Sequence, residues 1–405
     1  GSKSISNRAL ICAALAHGTS ELTNVPDGDD TLAMLECLSA LGSEARLDGE
    51  RVSISGIGTD WPHRPVTLHA SLAGTTSRFV TALAALSGFP VTVDGHPPLR
   101  RRPFGPLHEA LTQIGVSVTP GETFGNLPAV VTGPPTGGSV EVRGDVSSQF
   151  VSALMLIGPY LPGGLRLRLT TPLVSVPYVE LTAALMSQFG VEGIAVSQDL
   201  IVVGEGAYLP TDLFVEPDAS SASYPLAIAA VVGGTVEIPG LGGGALQGDA
   251  RFADLLEAMG CRIDRDDHMV RVSSGDELVG IDVDMADISD LVPTVAVVAA
   301  FATTPTRIRG VGFIRDKESD RLGDLSDELR RAGVDIVETG DGLEIRPSIG
   351  RFRPATLGAH HDHRLAMAFA VLGSATDGIG VESPDVVSKS WPEFWTMLDE
   401  SFPPR

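Results

Sequence analysis

Lysine is rare in this chain and lies inside short polar motifs. The 29 Lys and Arg residues include only three lysines, at Lys3 in GSKS, Lys317 in DKESDR and Lys389 in VSKSWPEF. Lysine offers a compact amine that can donate or accept a proton, whereas Arg stays charged and suits bidentate contacts with phosphate or carboxylate. These motifs therefore indicate positions where a compact, titratable amine is required rather than an ordinary surface cation.

Arginine recurs at the start of predicted helices. Arg8, Arg78 and Arg364 fall in or near first turns, where the helix dipole is positive and an acidic residue is the stabilising choice. The placement makes sense if anions dock there and share their charge with backbone N–H groups. Small polar residues at predicted helix starts have a simpler explanation than ligand binding, because Ser and Asp there can cap the helix. This alternative covers Asp145, Ser147, Asp218, Ser220 and Asp290.

The elements that must position these residues form a repeat. A Gly/Ser/Thr/Asp cluster, an apolar helix and a β-rich run recur six times, as in SISNRALICAALAHGTSELTN and DASSASYPLAIAAVVGGTVEIPG. A second helix and further strands separate the copies, so each unit is predicted to be βαβαββ. Six units predict two domains, residues 4–216 and residues 217–405 plus 1–3. The abrupt start at GSKS leads us to expect a further strand before it.

Composition excludes several classes of function. The chain has 405 residues and 43% apolar content. Its formal charge of −22 disfavours sequence-independent binding to nucleic acid and binding to an anionic membrane. The sequence has no apolar run long enough to predict a membrane span. Cys12, Cys37 and Cys261 lack metal-ligand or disulfide spacing and are predicted to be buried thiols of a cytoplasmic protein.

Nine motifs in order resemble the 5-enolpyruvylshikimate-3-phosphate synthase family. They span most of the chain and read GSKSISNRAL, AGTTSRF, LRRRPFGPL, GDVSSQF, SVPY, DASSASY, DKESDRL, DHRLAMAF and VSKSWPEFW. The resemblance implies a two-domain inside-out α/β barrel with three repeats in each domain. It also implies a monomer that closes on two small molecules, phosphoenolpyruvate and shikimate 3-phosphate.

The resemblance assigns the cations and small polar residues to these two substrates. The residues implied for phosphoenolpyruvate are Lys3, Gly74, Arg102, Gln149, Arg321, Arg364 and Lys389. Those implied for shikimate 3-phosphate are Ser4, Arg8, Ser147, Ser148, Gln149, Ser175, Tyr178, Asp290 and Lys317. Two unit charges 4 Å apart repel by about 4 kcal/mol at an effective dielectric near 20, so two anionic substrates require several cations.

The implied reaction is an addition followed by an elimination, with neither a cofactor nor a metal. Asp290 is the candidate base for the 5-hydroxyl, Lys3 and Glu318 are candidates for moving the methylene proton, and His363 is expected to orient that region. Neighbouring Lys317 and Arg321 should keep Glu318 ionised. Simpler alternatives remain: a solvated charge run for Arg100–Arg102, a frayed terminus for Lys3 and a cap for Asp290.

Three positions depart from the family pattern, and other functions compete with this one. Leu72 stands where many members have Asn, Phe79 where many have Pro, and Phe313 where an Asn often contacts shikimate 3-phosphate. The related UDP-N-acetylglucosamine enolpyruvyl transferase typically carries a Cys in the loop that here reads LRRRPFGPL. An RNA 3′-phosphate cyclase would need a basic face. A non-catalytic anion-binding module is the third alternative.

The resemblance yields a first prediction, inhibition by the herbicide glyphosate. Gly74 retains the open space beside phosphoenolpyruvate that the herbicide occupies in the family. Turnover should therefore fall as glyphosate is added to an assay containing both substrates; the departures at Leu72 and Phe79 count against this prediction. Unchanged turnover at millimolar glyphosate would contradict this prediction.

Overall fold

The computed structural model describes residues 1–402 and divides into two compact units. The first unit is Gly1–Val215, and the second begins at Glu216. Residues 1–3 group with the first unit, whereas the sequence-based division assigned them to the second half. Among the described residues, no helix is long and apolar enough to cross a membrane.

The first unit contains seven α-helices and twelve strands. The helices are α1 (Lys3–Leu15), α2 (Asp29–Ala40), α3 (Gly74–Ala84), α4 (Pro97–Arg100), α5 (Gly105–Gln113), α6 (Ser148–Ile157) and α7 (Val176–Gln188). The strands are β1 (His17–Thr23), β2 (Glu44–Asp48), β3 (Arg51–Ile57), β4 (Val66–His69), β5 (Val91–Asp94), β6 (Ser117–Pro120), β7 (Ala129–Thr132), β8 (Ser139–Val142), β9 (Leu165–Leu169), β10 (Ala195–Val196), β11 (Leu200–Val203) and β12 (Leu213–Phe214).

Three four-stranded sheets of the first unit share one pattern of pairing. Their strand orders are β12-β1-β3-β2, β4-β5-β7-β6 and β10-β11-β9-β8. Each sheet has one parallel pair, such as β4 with β5, and two antiparallel pairs, such as β5 with β7 and β7 with β6. A helix connects the parallel strands β4 and β5, as a parallel crossover requires. The threefold recurrence is the structural counterpart of the sequence repeat.

The second unit contains six α-helices and nine strands within the described chain. The helices are α8 (Ala219–Val232), α9 (Phe252–Ala258), α10 (Val292–Ala299), α11 (Gly323–Arg331), α12 (His363–Ala375) and α13 (Phe394–Ser401). The strands are β13 (Thr235–Pro239), β14 (Arg262–Arg265), β15 (Met269–Ser273), β16 (Asp282–Asp284), β17 (Thr306–Arg309), β18 (Asp335–Glu338), β19 (Leu343–Arg346), β20 (Ala355–Gly358) and β21 (Ile379–Glu382). The sheet β16-β17-β19-β18 repeats the pairing of the first unit.

One helix of each repeat is buried on all sides. In the first unit α3 packs against α6 and α1 contacts both, and in the second unit α8, α10 and α12 contact one another. Every residue of α1 from Ile5 to Leu15 is buried, because Ala, Leu, Ile and Cys surround its whole circumference. A helix that is apolar all round belongs in a core. The sheets and the amphipathic second helices therefore surround these central helices.

Buried cysteines contribute to these cores. Cys12, Cys37 and Cys261 are all buried free thiols, as their spacing predicted. Burial raises the pKa of both Cys12 and Cys37 to about 12. These thiols therefore stay protonated at neutral pH and pack as small apolar groups.

His108 is a buried base on α5. Its ring is inaccessible to solvent and lies 5.8 Å, centroid to centroid, from each of the Phe104 and Phe124 rings. Burial lowers the pKa of His108 to about 4. The histidine is therefore neutral in the folded protein at physiological pH.

We predict that His108 makes stability depend on pH. An unfolded histidine takes up its proton below about pH 6.5. Because the folded pKa lies lower, the unfolded state binds the proton first, and stability falls as the pH drops from about 6.5 towards 4. His108→Leu should remove this component, so urea midpoints of variant and wild type should diverge in the variant's favour between about pH 7.5 and pH 5. His268→Leu, at an exposed site, is the matched control; a constant difference across this range would contradict the prediction.

Candidate functional site

Hydrogen bonds connect the starts of the three central helices in the first unit. Lys3 at the start of α1 forms an ion pair with Asp30 of α2, with 3.1 Å between Nζ and Oδ2. The Thr76 hydroxyl in the first turn of α3 donates to the Asp30 carbonyl at 3.1 Å. Beside it, Thr75 accepts a 3.1 Å hydrogen bond from Gln149 at the start of α6. Lys3 is therefore held in an ordered helix rather than at a frayed end.

Gly74 begins α3 directly against the Arg102 guanidinium. A side-chain carbon added at this glycine would collide with Arg102 and crowd Arg78. Only glycine leaves the guanidinium next to the first backbone N–H groups of the helix, which is an arrangement suited to an anion. Arg102 thus differs from Arg100, which pairs with Asp94 at 2.7 Å on the surface as a solvated charge run would.

Arg8 is a buried cation one turn into α1. Its guanidinium donates to the Thr182 hydroxyl at 2.7 Å, the Ser4 carbonyl at 2.8 Å and the Tyr178 carbonyl at 3.2 Å. Burial lowers the pKa of Arg8 to about 10, so the side chain remains charged at neutral pH. The contacts bring the starts of α1 and α7 together around one cation.

The serines predicted to bind substrate lie at the starts of α6 and α7. Ser147 caps α6 by accepting from the Gln149 N–H at 3.3 Å, and Ser148 follows it, nearly buried. Ser175 precedes α7 with φ of 55°, a left-handed conformation that is uncommon for serine. Such local strain clusters at functional sites. Helix capping therefore accounts for one hydrogen bond of the Ser147 hydroxyl. The Ser175 side chain, in contrast, makes no capping hydrogen bond.

In the second unit, five predicted site residues form one continuous chain of ion pairs. Arg321 is buried and bonds Asp290 at 2.8 Å and Glu318 at 2.7 Å. Arg364, in the first turn of α12, bonds the other oxygen of Asp290 at 2.7 Å. Lys389 bonds the other oxygen of Glu318 at 3.0 Å. Residues that are up to 99 positions apart in the sequence therefore meet in one cluster.

The neighbouring cations dominate the electrostatics of Asp290. Burial alone would raise its pKa, but Arg364, Lys317 and Arg321 together hold the pKa well below the usual range of a carboxyl group. For Arg321, burial opposes the charge, but Asp362, Glu318 and Asp290 outweigh it and raise the pKa further. Asp290 lies in the turn before α10 and pairs with two arginines, so it is not simply a helix cap.

The other predicted residues of this unit lie beside the same cluster. His363 is buried as the first residue of α12, with Nδ1 3.9 Å from an oxygen of Asp362. Asp362 caps that helix through the Arg364 N–H at 2.9 Å and binds Arg321 at 2.7 Å. Lys317 lies immediately before Glu318, with its Nζ 5.9 Å from the centre of the Phe313 ring. The helix start therefore combines a cap, a histidine and two arginines.

Sequence reasoning missed two carboxylates in these sites, Asp30 and Asp249. Asp249 is buried and hydrogen-bonds Ser220 at the start of α8. Burial raises the pKa of Asp249 to about 6, with the charge of Asp290 acting in the same direction. The sequence signal that could have identified both carboxylates is an acidic residue before or within a helix start, as in GDD and GDARF.

Arg78 also differs from expectation, because its guanidinium lies over the Phe104 and Phe150 rings and donates to the Gly74 carbonyl.

Solved structures define the class of fold. An EPSP synthase from Acinetobacter baumannii has a TM-score of 0.81 and 24% identity, with 99% of this chain and 94% of that chain covered. The enolpyruvyl transferase NikO from Streptomyces tendae has a TM-score of 0.77 and 20% identity, with coverage of 99% and 93%. The fold is thus the two-domain inside-out α/β fold of the enolpyruvyl transferases, which confirms the predicted fold class.

Sequence comparisons narrow this class to one family. The family model for EPSP synthase (3-phosphoshikimate 1-carboxyvinyltransferase) matches residues 1–398. Proteins named 3-phosphoshikimate 1-carboxyvinyltransferase from Shewanella sediminis and Serratia proteamaculans are each 40% identical, with 98% of this chain and 94% of the relative covered. The chain belongs to the EPSP synthase family, which confirms the resemblance seen in its motifs.

The buried ion-pair cluster predicts a large cost for removing Arg321. Arg321→Met leaves Asp290, Glu318 and Asp362 facing one another without their shared cation. Breaking a buried pair on one side typically costs about 3–5 kcal/mol, so the free energy of unfolding should fall by at least that much in denaturant titrations.

Arg262→Met is the matched control for this experiment. Arg262 pairs with Asp276 at 3.4 Å, and both side chains are largely exposed. An exposed pair contributes less than about 1 kcal/mol. Equal losses in the two variants would contradict the prediction, because the cluster around Arg321 would then contribute no more than an exposed pair.

Proposed function

We propose that this chain transfers the enolpyruvyl group of phosphoenolpyruvate to the 5-hydroxyl of shikimate 3-phosphate and releases inorganic phosphate. Membership of the family over residues 1–398 supports this reaction, which belongs to aromatic amino acid biosynthesis. The observation that carries the proposal is the gathering of three cations, Lys389, Arg321 and Arg364, in one chain of ion pairs. The proposed enzyme acts as a cytoplasmic monomer.

The two substrates differ in the groups that receive them. For phosphoenolpyruvate, the proposed ligands are Lys3, Gly74, Arg102, Gln149, Arg321, Arg364 and Lys389. For shikimate 3-phosphate, they are Ser4, Arg8, Ser147, Ser148, Gln149, Ser175, Tyr178, Asp290 and Lys317. Arginine fits bidentate binding of carboxylate and phosphate, and helix N–H groups complete the coordination of the anions.

The proposed chemistry has two steps. In the first, the 5-hydroxyl oxygen bonds to the central carbon of phosphoenolpyruvate, Asp290 takes the hydroxyl proton, and the methylene carbon gains a proton. In the second, the resulting methyl group loses a proton, the double bond forms again, and the carbon–oxygen bond to phosphate breaks. Lys3 and Glu318 remain the two candidates for moving the carbon-bound proton, and His363 is proposed to orient them.

The ion pairs of Asp290 suggest how the base becomes active. With two arginines on its oxygens and a depressed pKa, Asp290 is a weak base in the free protein. An incoming substrate anion competes for Arg321 and Arg364. Because loss of cationic neighbours raises a carboxyl pKa, binding of the substrate would strengthen the base at the moment when it is required.

A non-catalytic anion-binding protein is the competing function, and the same assay tests both. We predict that phosphate release from the wild type requires both substrates and that Asp290→Ala lowers its rate by about 10²–10⁴-fold, because the acceptor hydroxyl loses its base. Phosphate is measured continuously with each substrate omitted in turn.

Asp287→Ala is the matched control for Asp290→Ala. Asp287 lies in the same turn but is half-exposed and 3.7 Å from Arg251. Its loss should leave the rate within about twofold of the wild type, as for most surface substitutions. A wild-type rate in Asp290→Ala would remove Asp290 from the mechanism, and absence of phosphate release from the wild type would favour the binding protein.

A further inference from the structure

Phe79 places an aromatic ring against Arg8. The Phe79 side chain is buried in α3, and its ring centre lies 5.3 Å from the Arg8 guanidinium carbon. The Tyr178 ring lies 5.8 Å from the same carbon. Both distances fall within the range at which a cation is attracted to the face of an aromatic ring. Phe79 is also one of the positions at which this chain departs from the family pattern.

The remaining contacts of Arg8 are with neutral groups. Its donors reach two hydroxyl groups, of Thr182 and Ser152, and two carbonyl groups, of Ser4 and Tyr178. Within the described part of the chain, Arg8 forms no ion pair with a carboxylate, in contrast to Arg321, which has three. Neutral dipoles and ring faces thus hold the cation without neutralising it, which leaves its charge available to an anionic ligand.

We propose that Phe79 is a positioning residue that holds Arg8 by its ring face for an anionic group of shikimate 3-phosphate. The inference rests on the proposed function, because that function assigns Arg8 to this substrate. A ring replaces part of the water that a buried cation loses, but it supplies no negative charge that the substrate phosphate would have to displace. The ring should therefore affect acceptor affinity more than turnover.

Fluorination of the ring separates this electrostatic role from packing. Pentafluorophenylalanine incorporated at position 79 keeps the shape of the side chain nearly unchanged but removes the negative face of the ring. We expect KM for shikimate 3-phosphate to rise about three- to tenfold, with kcat and KM for phosphoenolpyruvate within about twofold of the wild type. The intermediate compound 4-fluorophenylalanine should give an intermediate KM.

The same replacement at Phe189 is the matched control. Phe189 is equally buried in the first unit, but its ring partner is Tyr208 rather than a cation. Pentafluorophenylalanine there should leave every kinetic constant within about twofold of the wild type, and thermal melting of all variants reports any loss of packing.

The possible outcomes distinguish the inference from the function on which it rests. An active wild type whose KM for shikimate 3-phosphate is unchanged by fluorination at position 79 would overturn the positioning role and leave the enzyme activity standing. Equal effects on both substrates, or effects that only follow the melting temperature, would also overturn it. A wild type that releases no phosphate from the two substrates would overturn the proposed function and the inference with it.

Discussion

Burying a cation without its water is the physical problem around which these sites are built. An isolated charge in a protein interior is costly unless other groups replace its hydration. The second unit solves this with carboxylates, since Arg321 contacts three of them, Arg364 contacts Asp290 and Lys389 contacts Glu318. The first unit uses hydroxyls, carbonyls and aromatic rings around Arg8. Carboxylates therefore balance the charges of Arg321, Arg364 and Lys389, whereas the groups around Arg8 are neutral.

The fold makes both solutions possible by burying the central helices completely. A helix surrounded by other elements has only its ends free for polar chemistry, and the positive end exposes unpaired N–H groups. Small residues at these ends, such as Gly74 before Arg102, allow the guanidinium to approach the backbone. A repeat that places one buried helix in each copy therefore produces several helix starts whose backbone N–H groups are suited to an anion, without any specialised loop.

Much of this organisation could be predicted from the sequence, because it depends on local patterns. The apolar helices, the polar clusters before them and the unusual arginines at helix starts all lie within short windows, and so did the motifs that indicated the family. The pairing of Arg8 with Thr182, 174 residues away, and of Arg364 with Asp290, 74 residues away, depends on tertiary packing. No local pattern encodes such contacts. Arg78 shows the same limit, since its helix-start position indicated an anion, but Phe104 and Phe150 enclose its guanidinium.

The ion pairs of Asp290 couple its basicity to the binding of anions at Arg321 and Arg364. Because Asp290 shares Arg321 and Arg364, any anion that binds these arginines also changes the basicity of Asp290. The same shift reaches Asp249, whose pKa of about 6 is set by burial and by the charge of Asp290. At neutral pH a carboxyl with this pKa is already mostly ionised, and protonation of Asp290 would remove the repulsion and lower the pKa of Asp249 further. In the proposed reaction, binding of an anion and activation of the base are therefore coupled by Coulomb interactions alone.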